Sequence, residues 1–583
     1  MKISRSHFIF GLNVIMVVAT ILAFISLMIE MLGFDLSPGT RKGMAILDWL
    51  VVTIFIAEGF IKWGIERFRL EYLKRRWMDF ILIFLFLLIL LVFLGYDPSL
   101  TRTGWTPLLI DLFFVRIYII IVRLYVIGSP LFRAVETRRR ASKTVFAPAQ
   151  LFILSFLFVI LMGTGLLLLP EATNSGRINA LDALFTATSA TCVTGLIVVD
   201  TGSYFTLFGQ IVILFLIQIG GLGLMTITTF FALIFGKSMS VRERVIMSDA
   251  LNFRTLSQVS NLIVSILIMT LAFEAIGALL LYVSWLGTPG ESFEWGSKIY
   301  YSVFHSISAF CNAGFSLFQS NLEGFRENLF LNIIITSLII FGGLGFIAIT
   351  NIIKAGVLRK EKLSLHTKLV LTVTVSLILG GSLLIIATEW NNNLYGMSVS
   401  TKIMASYFLS VTPRTAGFNT ISMNNLTYEC YFLIIMLMFI GASPGGTGGG
   451  IKTSTFGVFI GNVLSTLRGR NSVEMFRRNI PTEIVNNALL LTVLALMLLS
   501  VFGFALLLTQ EGDPIHIFFE LFSAFGTVGL SAGITPGLTN LGKIIIIATM
   551  FIGRVGPLTL LFAIRQRREA VPYEYPEESV MVG

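Results

Sequence analysis

The chain has 583 residues and a formal charge of +10, with 55% hydrophobic and only 13% charged residues. Soluble domains carry about 25% charge, so soluble enzyme, disordered, collagenous and coiled-coil classes are excluded, and the composition predicts an all-α polytopic membrane protein. An excess of basic residues, 42 against 32 acidic, marks cytoplasmic loops and a lipid partner, and no basic face interleaved with aromatics suggests nucleic acid.

Three cysteines, Cys192, Cys311 and Cys430, are too few for a disulfide framework or a metal site. From the N-terminus, the apolar run 7–29 is too long for a signal h-region and lacks a small-residue cleavage site. With spans near 44–64, 78–96 and 108–127 it predicts an extra four-helix membrane unit over residues 1–130. Glu58 and Lys62 lie four apart on one helix face. Trp77-Met78-Asp79-Phe80 opens the third span, and Arg116 and Arg123, seven apart, share a face of the fourth. This resembles a voltage-sensor-like bundle that lacks the arginine ladder, so an accessory scaffold and a degenerate sensor both stand open. The basic linker 131–148 suits contact with anionic lipid or a regulatory subunit.

Beyond it, the stretches 151–169, 201–236, 255–273, 328–353, 369–388, 431–451 and 484–510 contain no Asp, Glu, Lys or Arg, and 544–564 contains only Arg554. A helix needs about 20 apolar residues to cross a bilayer, which gives 12 transmembrane spans in all. Twelve spans put both termini on one side. The loops on that side hold 21 Lys and Arg and the opposite connections six, so both termini are expected in the cytoplasm.

From residue 149 the chain repeats a long span, a short semi-polar segment ending in Gly, and a second long span. The short segments read Phe185-TATSATCVT-Gly195, Phe304-HSISAFCNA-Gly314, Tyr407-FLSVTPRTA-Gly417 and Phe519-ELFSAFGTV-Gly529, with an aromatic ten residues before the glycine each time. A second motif follows in each: Gly220-GL-Gly223, Gly342-GL-Gly345, Gly441-ASP-Gly445 and Gly553-RV-Gly556. Four copies in register predict repeats at 149–236, 237–354, 355–462 and 463–566, with a tail at 567–583. Small-residue helix packing is the simplest reading of the second motif.

About ten residues cannot span a bilayer. Each short segment therefore enters and leaves on one face, and non-helical backbone at that depth must be buried in protein or line a cavity. Four such segments around one pore can present carbonyl rings that replace the hydration shell of an alkali cation.

The array resembles the Trk/Ktr/HKT superfamily of K⁺ transporters, four fused membrane–pore–membrane repeats, and its tail, Tyr573-EYPEESVMVG, is similar to the Ktr branch. The resemblance implies K⁺ held by backbone carbonyls of Val193, Thr194 and Gly195, of Asn312, Ala313 and Gly314, of Thr415, Ala416 and Gly417, and of Thr527, Val528 and Gly529. Glycine at all four positions favours K⁺ in this superfamily, while Ser in the first copy accompanies Na⁺ in plant relatives. It also implies a homodimer on a cytoplasmic nucleotide-binding ring of RCK/KTN type. The chain has no nucleotide motif, so any nucleotide dependence comes through that partner.

Only the third repeat carries a glycine run, with Gly441, Pro444, Gly445, Gly446, Gly448, Gly449 and Gly450 followed by Lys452. Glycine costs ~1 kcal/mol and proline ~3 kcal/mol inside a helix, so the span should break into two half-helices around a loop, 441–453. A phosphate-binding loop fits poorly, because an extra Ile451 separates Gly450 from Lys452 and no strand precedes it. The resemblance makes the loop an intramembrane gate. Arg554, alone in its span, reads as an electrostatic barrier in the pathway or as a tie to loop carbonyls. Arg414 reads as an anchor behind the filter, His305 as a packing or hydrogen-bonding group, and Cys192 and Cys311 as buried thiols. The rival function is Na⁺ or weakly selective monovalent cation transport on the same fold. An enzyme would need a catalytic constellation and an alternating-access carrier inverted repeats; the sequence has neither.

Overall fold

The computed structural model describes residues 148–223, 259–285, 295–357, 362–470, 472–557 and 559, with isolated positions between 50 and 61. The chain divides into two compact units, residues 1–145 with 168–177, and residues 146–167 with 178–583. Lys62, Trp77, Asp79, Arg116, Arg123, most of the linker and the tail 567–583 lie outside the described residues, so the expected N-terminal bundle is not described.

In the second unit, a long helix, a short helix, a glycine turn and another helix follow one another four times. Repeat one is α1 (Pro148–Leu167), α2 (Ala180–Thr191) and α3 (Leu207–Leu222). Repeat two is α4 (Val259–Trp285), α5 (Trp295–Phe310) and α6 (Leu329–Leu344), continued as α7 (Phe346–Ile352). Repeat three is α8 (Leu365–Glu389), α9 (Val399–Val411), α10 (Tyr428–Phe439) and α11 (Thr453–Leu467). Repeat four is α12 (Thr482–Thr509), α13 (Pro514–Gly526) and α14 (Asn540–Val555). Polar caps start most of these helices: the side chains of Asn179, Thr206, Asn328, Ser364, Ser398, Thr427, Asp513 and Thr539 each accept a first-turn backbone N–H.

Burial separates the two kinds of helix. The short helix α2 is buried from Phe185 to Thr191. The long helices turn apolar side chains outward, with Leu383 69%, Phe504 67% and Leu508 72% exposed. Among the described residues three helices are long and apolar enough to cross a membrane, or four if the pair bent by 102° between α6 and α7 counts as one.

The repeats close into a ring. The second helix of each packs on the short helix of the next: α3 on α5, α6 on α9, α10 on α13, and α14 back on α2. Polar pairs reinforce the seams, with Tyr300 donating to Gln210 Oε1 at 2.9 Å, Asn419 to Glu323 Oε1 at 2.8 Å, and Tyr428 to Asp513 Oδ2 at 2.8 Å. The seam from repeat four to repeat one holds the ion pair Lys543–Asp182 at 2.6 Å.

One element departs from the all-α expectation. Strands β1 (Val473–Met475) and β2 (Arg478–Ile480) form an antiparallel hairpin, pairing Val473 with Ile480 and Met475 with Arg478. Its two turn residues, Phe476 and Arg477, have φ of 50° and 63°, the left-handed pair of a tight hairpin. Val473 and Ile480 bury into a cluster with Leu369, Val458 and Val485.

The second motif does two jobs. Its first glycine is a close-packing position: a Cβ on Gly220, Gly342 or Gly553 would lie 2.0, 1.9 or 2.0 Å from the carbonyl of Thr191, Phe310 or Phe525. Its last glycine has a left-handed φ in every repeat, 79° at Gly223, 86° at Gly345, 72° at Gly445 and 89° at Gly556, and it ends the helix before it at Gly223, Gly345 and Gly556. Packing alone, the sequence expectation, covers only the first job. Gly553→Ala should therefore lower stability by at least ~1–3 kcal/mol through overpacking. Gly537→Ala, where nothing lies within 4 Å of the added atom, should change little. The midpoint of thermal inactivation in detergent, followed by size-exclusion chromatography, compares the two; equal midpoints would reject the close-approach argument.

Candidate functional site

The site is built at the C-terminal ends of the short helices. After each helix the chain turns through a left-handed residue two before the glycine: Val193 (φ 56°), Asn312 (59°), Thr415 (80°) and Thr527 (50°). The glycine itself has φ of 94°, 69°, 79° and 92° in the four repeats. Alternating backbone handedness lines successive N–H groups up on one side and leaves the carbonyls on the other.

Those amides are tied back to the short helix. Thr194 N–H donates to Ser189 O at 2.7 Å, Ala313 N–H to Ser308 O at 2.7 Å, Ala416 N–H to Thr412 O at 2.9 Å and Val528 N–H to Ser523 O at 2.8 Å. In repeats one and four the glycine amide adds a bond to a serine hydroxyl, Gly195 to Ser189 and Gly529 to Ser523, both at 3.1 Å. In repeats two and three a hydroxyl instead holds the residue after the glycine, Ser308 donating to Phe315 O at 2.8 Å and Thr412 to Phe418 O at 2.6 Å.

Each carbonyl before a glycine lies against the glycine of the preceding repeat. A Cβ on Gly195 would sit 2.5 Å from Ala313 O, one on Gly314 2.8 Å from Ala416 O, one on Gly417 2.5 Å from Val528 O, and one on Gly529 2.2 Å from Thr194 O. These contacts run in cyclic order and close on themselves. The sequence-predicted residues of all four repeats therefore meet around one axis, and any side chain on a ring glycine would collide with a neighbouring carbonyl.

The glycine run of repeat three lies directly against this ring. Between Phe439 and Thr453 it forms no helix, as the glycine and proline content predicts. Its amides bond to repeats two and four. Ser443 N–H donates to Gly343 O at 2.9 Å and Thr447 N–H to Gly342 O at 3.1 Å, both in repeat two. Gly449 N–H donates to Thr527 Oγ1 at 2.8 Å in repeat four. A Cβ on Gly448 would lie 2.0 Å from Thr415 Oγ1. The loop closes on itself through Gly441 N–H to Ile451 O at 2.8 Å, and Lys452 Nζ donates to Gly448 O at 2.7 Å.

Arg554 spans two repeats. Its guanidinium donates to Thr447 O in the loop and to Gly220 O at the end of α3. Arg414 is buried and donates to Thr374 Oγ1 of α8 at 3.2 Å. His305 is buried in hydrogen bonds, and all three cysteines are buried and free. Among the described residues no cluster of three His, Cys, Asp or Glu could hold a metal.

Sequence reasoning missed several members. Thr447 sits in the glycine run as its one polar contact to Phe310 O, at 3.3 Å, and the glycines around it hid it. Glu274 is buried in α4 and accepts from Gln218 at 3.0 Å; Glu520 is buried in α13. Both were visible as carboxylates in or beside apolar runs, the signal that functional ionisable groups leave in a membrane.

Comparison with known proteins agrees with this architecture. Residues 117–570 match the family described as TrkH, cation transport protein. The chain is 42% identical over 440 residues to the Ktr system potassium uptake protein B of Bacillus subtilis, covering 75% of this chain and 97% of that protein. It is 39% identical over 454 residues to the potassium/sodium uptake protein NtpJ of Enterococcus hirae, covering 76% and 99%. The crystal structure of the potassium transporter TrkH from Vibrio parahaemolyticus superposes with a TM-score of 0.61 at 16% identity, covering 83% of this chain and 96% of that one, which is a likeness of fold. The chain belongs to the TrkH family of cation transport proteins, integral membrane transporters and not enzymes.

Proposed function

We propose that this protein takes up K⁺ across the bacterial inner membrane through the ring of four glycine segments, which serve as its selectivity filter. The observation that carries the reading is the closed cycle of carbonyls at Thr194, Ala313, Ala416 and Val528, each against the preceding repeat's glycine. Carbonyls held by amides bonded away from the axis can replace a cation's water shell without having to reorganise. The potassium uptake named for the Bacillus subtilis relative supports the same ion. Measured K⁺, Rb⁺ and Na⁺ fluxes in proteoliposomes should rank K⁺ and Rb⁺ above Na⁺. A second reading, transport of both K⁺ and Na⁺, is favoured by the potassium/sodium uptake named for the Enterococcus hirae relative. Equal K⁺ and Na⁺ fluxes would select it, and no cation flux would reject both.

The loop from Gly441 to Gly450 is the gate in this reading. It lies against the filter threonines and is tied to its surroundings by single hydrogen bonds, so an open state needs no unfolding of a helix. Arg554 then acts twice, as a positive charge in the pathway and as a clamp on Thr447. Both termini are cytoplasmic, and the protein works as a homodimer on an RCK/KTN-type ring that brings any nucleotide control. The relative's designation as component B of a Ktr system supports a further subunit.

Three outcomes are expected. Gly195→Ser places an atom 2.5 Å from Ala313 O, so it should lower the K⁺/Na⁺ flux ratio at least about tenfold, or ~1.4 kcal/mol. An unchanged ratio in folded protein would remove the filter assignment. Deleting 445–449 should give large K⁺ flux that no longer responds to the cytoplasmic subunit or its nucleotide; a stable deletion that still needs the subunit moves the gate elsewhere. Arg554→Ala should raise flux both in the intact chain and in the deletion. A rise confined to the intact chain reduces Arg554 to a clamp, and a fall in both ends the barrier role.

A further inference from the structure

The segments on the far side of the ring glycines are not held alike. In repeat four Glu520, nine residues before Gly529, is buried within α13. Its Oε1 accepts from the Ser531 hydroxyl and from Ala532 N–H at 3.1 Å, and its Oε2 accepts from Thr535 Oγ1 at 2.8 Å. Ser531 Oγ in turn accepts from Gly533 N–H at 3.0 Å.

Repeat two builds the same tie from a different acceptor. His305 is also nine residues before its glycine, and it is fully buried. Its Nδ1 lies 2.8 Å from Tyr301 O, a group that can only accept, so Nδ1 carries the proton and Nε2 is left as the acceptor. That Nε2 faces Ser316 Oγ at 3.1 Å and Leu317 N–H at 3.4 Å, and Ser316 Oγ accepts from Phe318 N–H at 3.1 Å. The serine is two residues past the glycine in both repeats, and the bonded amides are three and four past it.

The other two repeats lack the arrangement. The equivalent positions are Thr186, whose hydroxyl turns back to Asp182 O of its own helix at 2.9 Å, and Phe408, which has no polar atom. The residues two past the glycine are Ile197 and Asn419 in place of serine. Since the ring runs one, two, three, four, the tied repeats face each other across the axis.

We infer that His305 and Glu520 are a matched pair of positioning residues that fix the backbone beyond the filter glycines in repeats two and four, and so set ion selectivity without touching the ion. This rests on the filter reading above. The bond accepts an amide that would otherwise be buried and unpaired, and it fixes the stretch whose carbonyls follow the glycine. Losing it lets that stretch relax and loosens the cage that distinguishes K⁺ from Na⁺.

The test is the K⁺/Na⁺ flux ratio of purified full-length variants in proteoliposomes. Glu520→Leu and Ser531→Ala should each lower the ratio about three- to tenfold, the size set by the net contribution of one ordinary hydrogen bond. The double variant should fall no further than Glu520→Leu alone, because both remove one tie. Glu520→Gln keeps an acceptor oxygen and should recover most of the ratio. His305→Phe and Ser316→Ala should repeat the pattern in repeat two. If Glu520→Leu does not fold, the two serine variants carry the test. Wild-type ratios in Ser531→Ala and Ser316→Ala, or Glu520→Gln falling as far as Glu520→Leu, would overturn the inference. A wild-type protein without K⁺ preference would instead overturn the filter reading on which it stands.

Discussion

The fold depends on one constraint, that backbone N–H groups at membrane depth must find partners inside the protein. The four glycine segments meet it by bonding back to their own short helices, as Thr194 does to Ser189 O and Val528 to Ser523 O. Pairing the amides on one side commits the carbonyls to the other. The same step that makes a non-helical segment tolerable inside the protein therefore builds a ring of oxygens. Polar residues along the short helices follow from this, since Ser189, Ser308, Thr412 and Ser523 all supply hydroxyls to the segment.

Glycine serves the ring in two ways that look the same in the sequence. Gly195, Gly314, Gly417 and Gly529 combine positive φ with a neighbouring carbonyl within 2.8 Å of a would-be Cβ. Gly220, Gly342 and Gly553 sit in ordinary helix and are needed only because a short-helix carbonyl approaches to 2.0 Å or less of that position. The first group shapes the site, and the second brings the helices close enough for the ring to close. In repeat three the second job changes hands: a Cβ on Gly441 would meet Gly449 O of its own loop at 2.1 Å.

Much of this was legible in the sequence because a fourfold repeat turns weak local signals into a register. The aromatic-to-glycine spacing placed the short segments and their glycines, and the proline and glycines of 441–450 placed the break in repeat three. The helix ends at Gly223, Gly345 and Gly556 were not legible, since a Gly-x-x-Gly pattern reads equally as packing. A tie from Arg554 to loop carbonyls was legible, as the bond to Thr447 O shows, but not which carbonyl or the second partner, Gly220 O, since backbone oxygens leave no mark on side-chain identity. His305 and Glu520 stayed hidden as a pair because an imidazole and a carboxylate do not align as similar residues. Only the shared acceptor geometry reveals them.

The loop's hydrogen bonds also bear on how it moves when read as a gate. Four of its amides reach outside the loop or across its turn to other repeats: Ser443 to Gly343 O, Thr447 to Gly342 O, Gly450 to Gly553 O, and Gly449 to Thr527 Oγ1. Phe346 N–H to Gly445 O and the Thr447 hydroxyl to Phe310 O add two more bonds, so at a net ~1 kcal/mol each, with ~1.5–3 kcal/mol for the charged Arg554 contact, they hold the loop by roughly 7–9 kcal/mol. Moving a two-state equilibrium from 1:99 to 99:1 takes ~5.5 kcal/mol. The hold on the loop is thus of the size that one partner's differential affinity can offset, whereas breaking a packed helix would cost far more. Read as a gate, a loop of backbone amides and glycines is tight enough to stay closed and weak enough to be opened from outside the membrane core, a reading that suits a stretch of glycines and a proline without large apolar side chains.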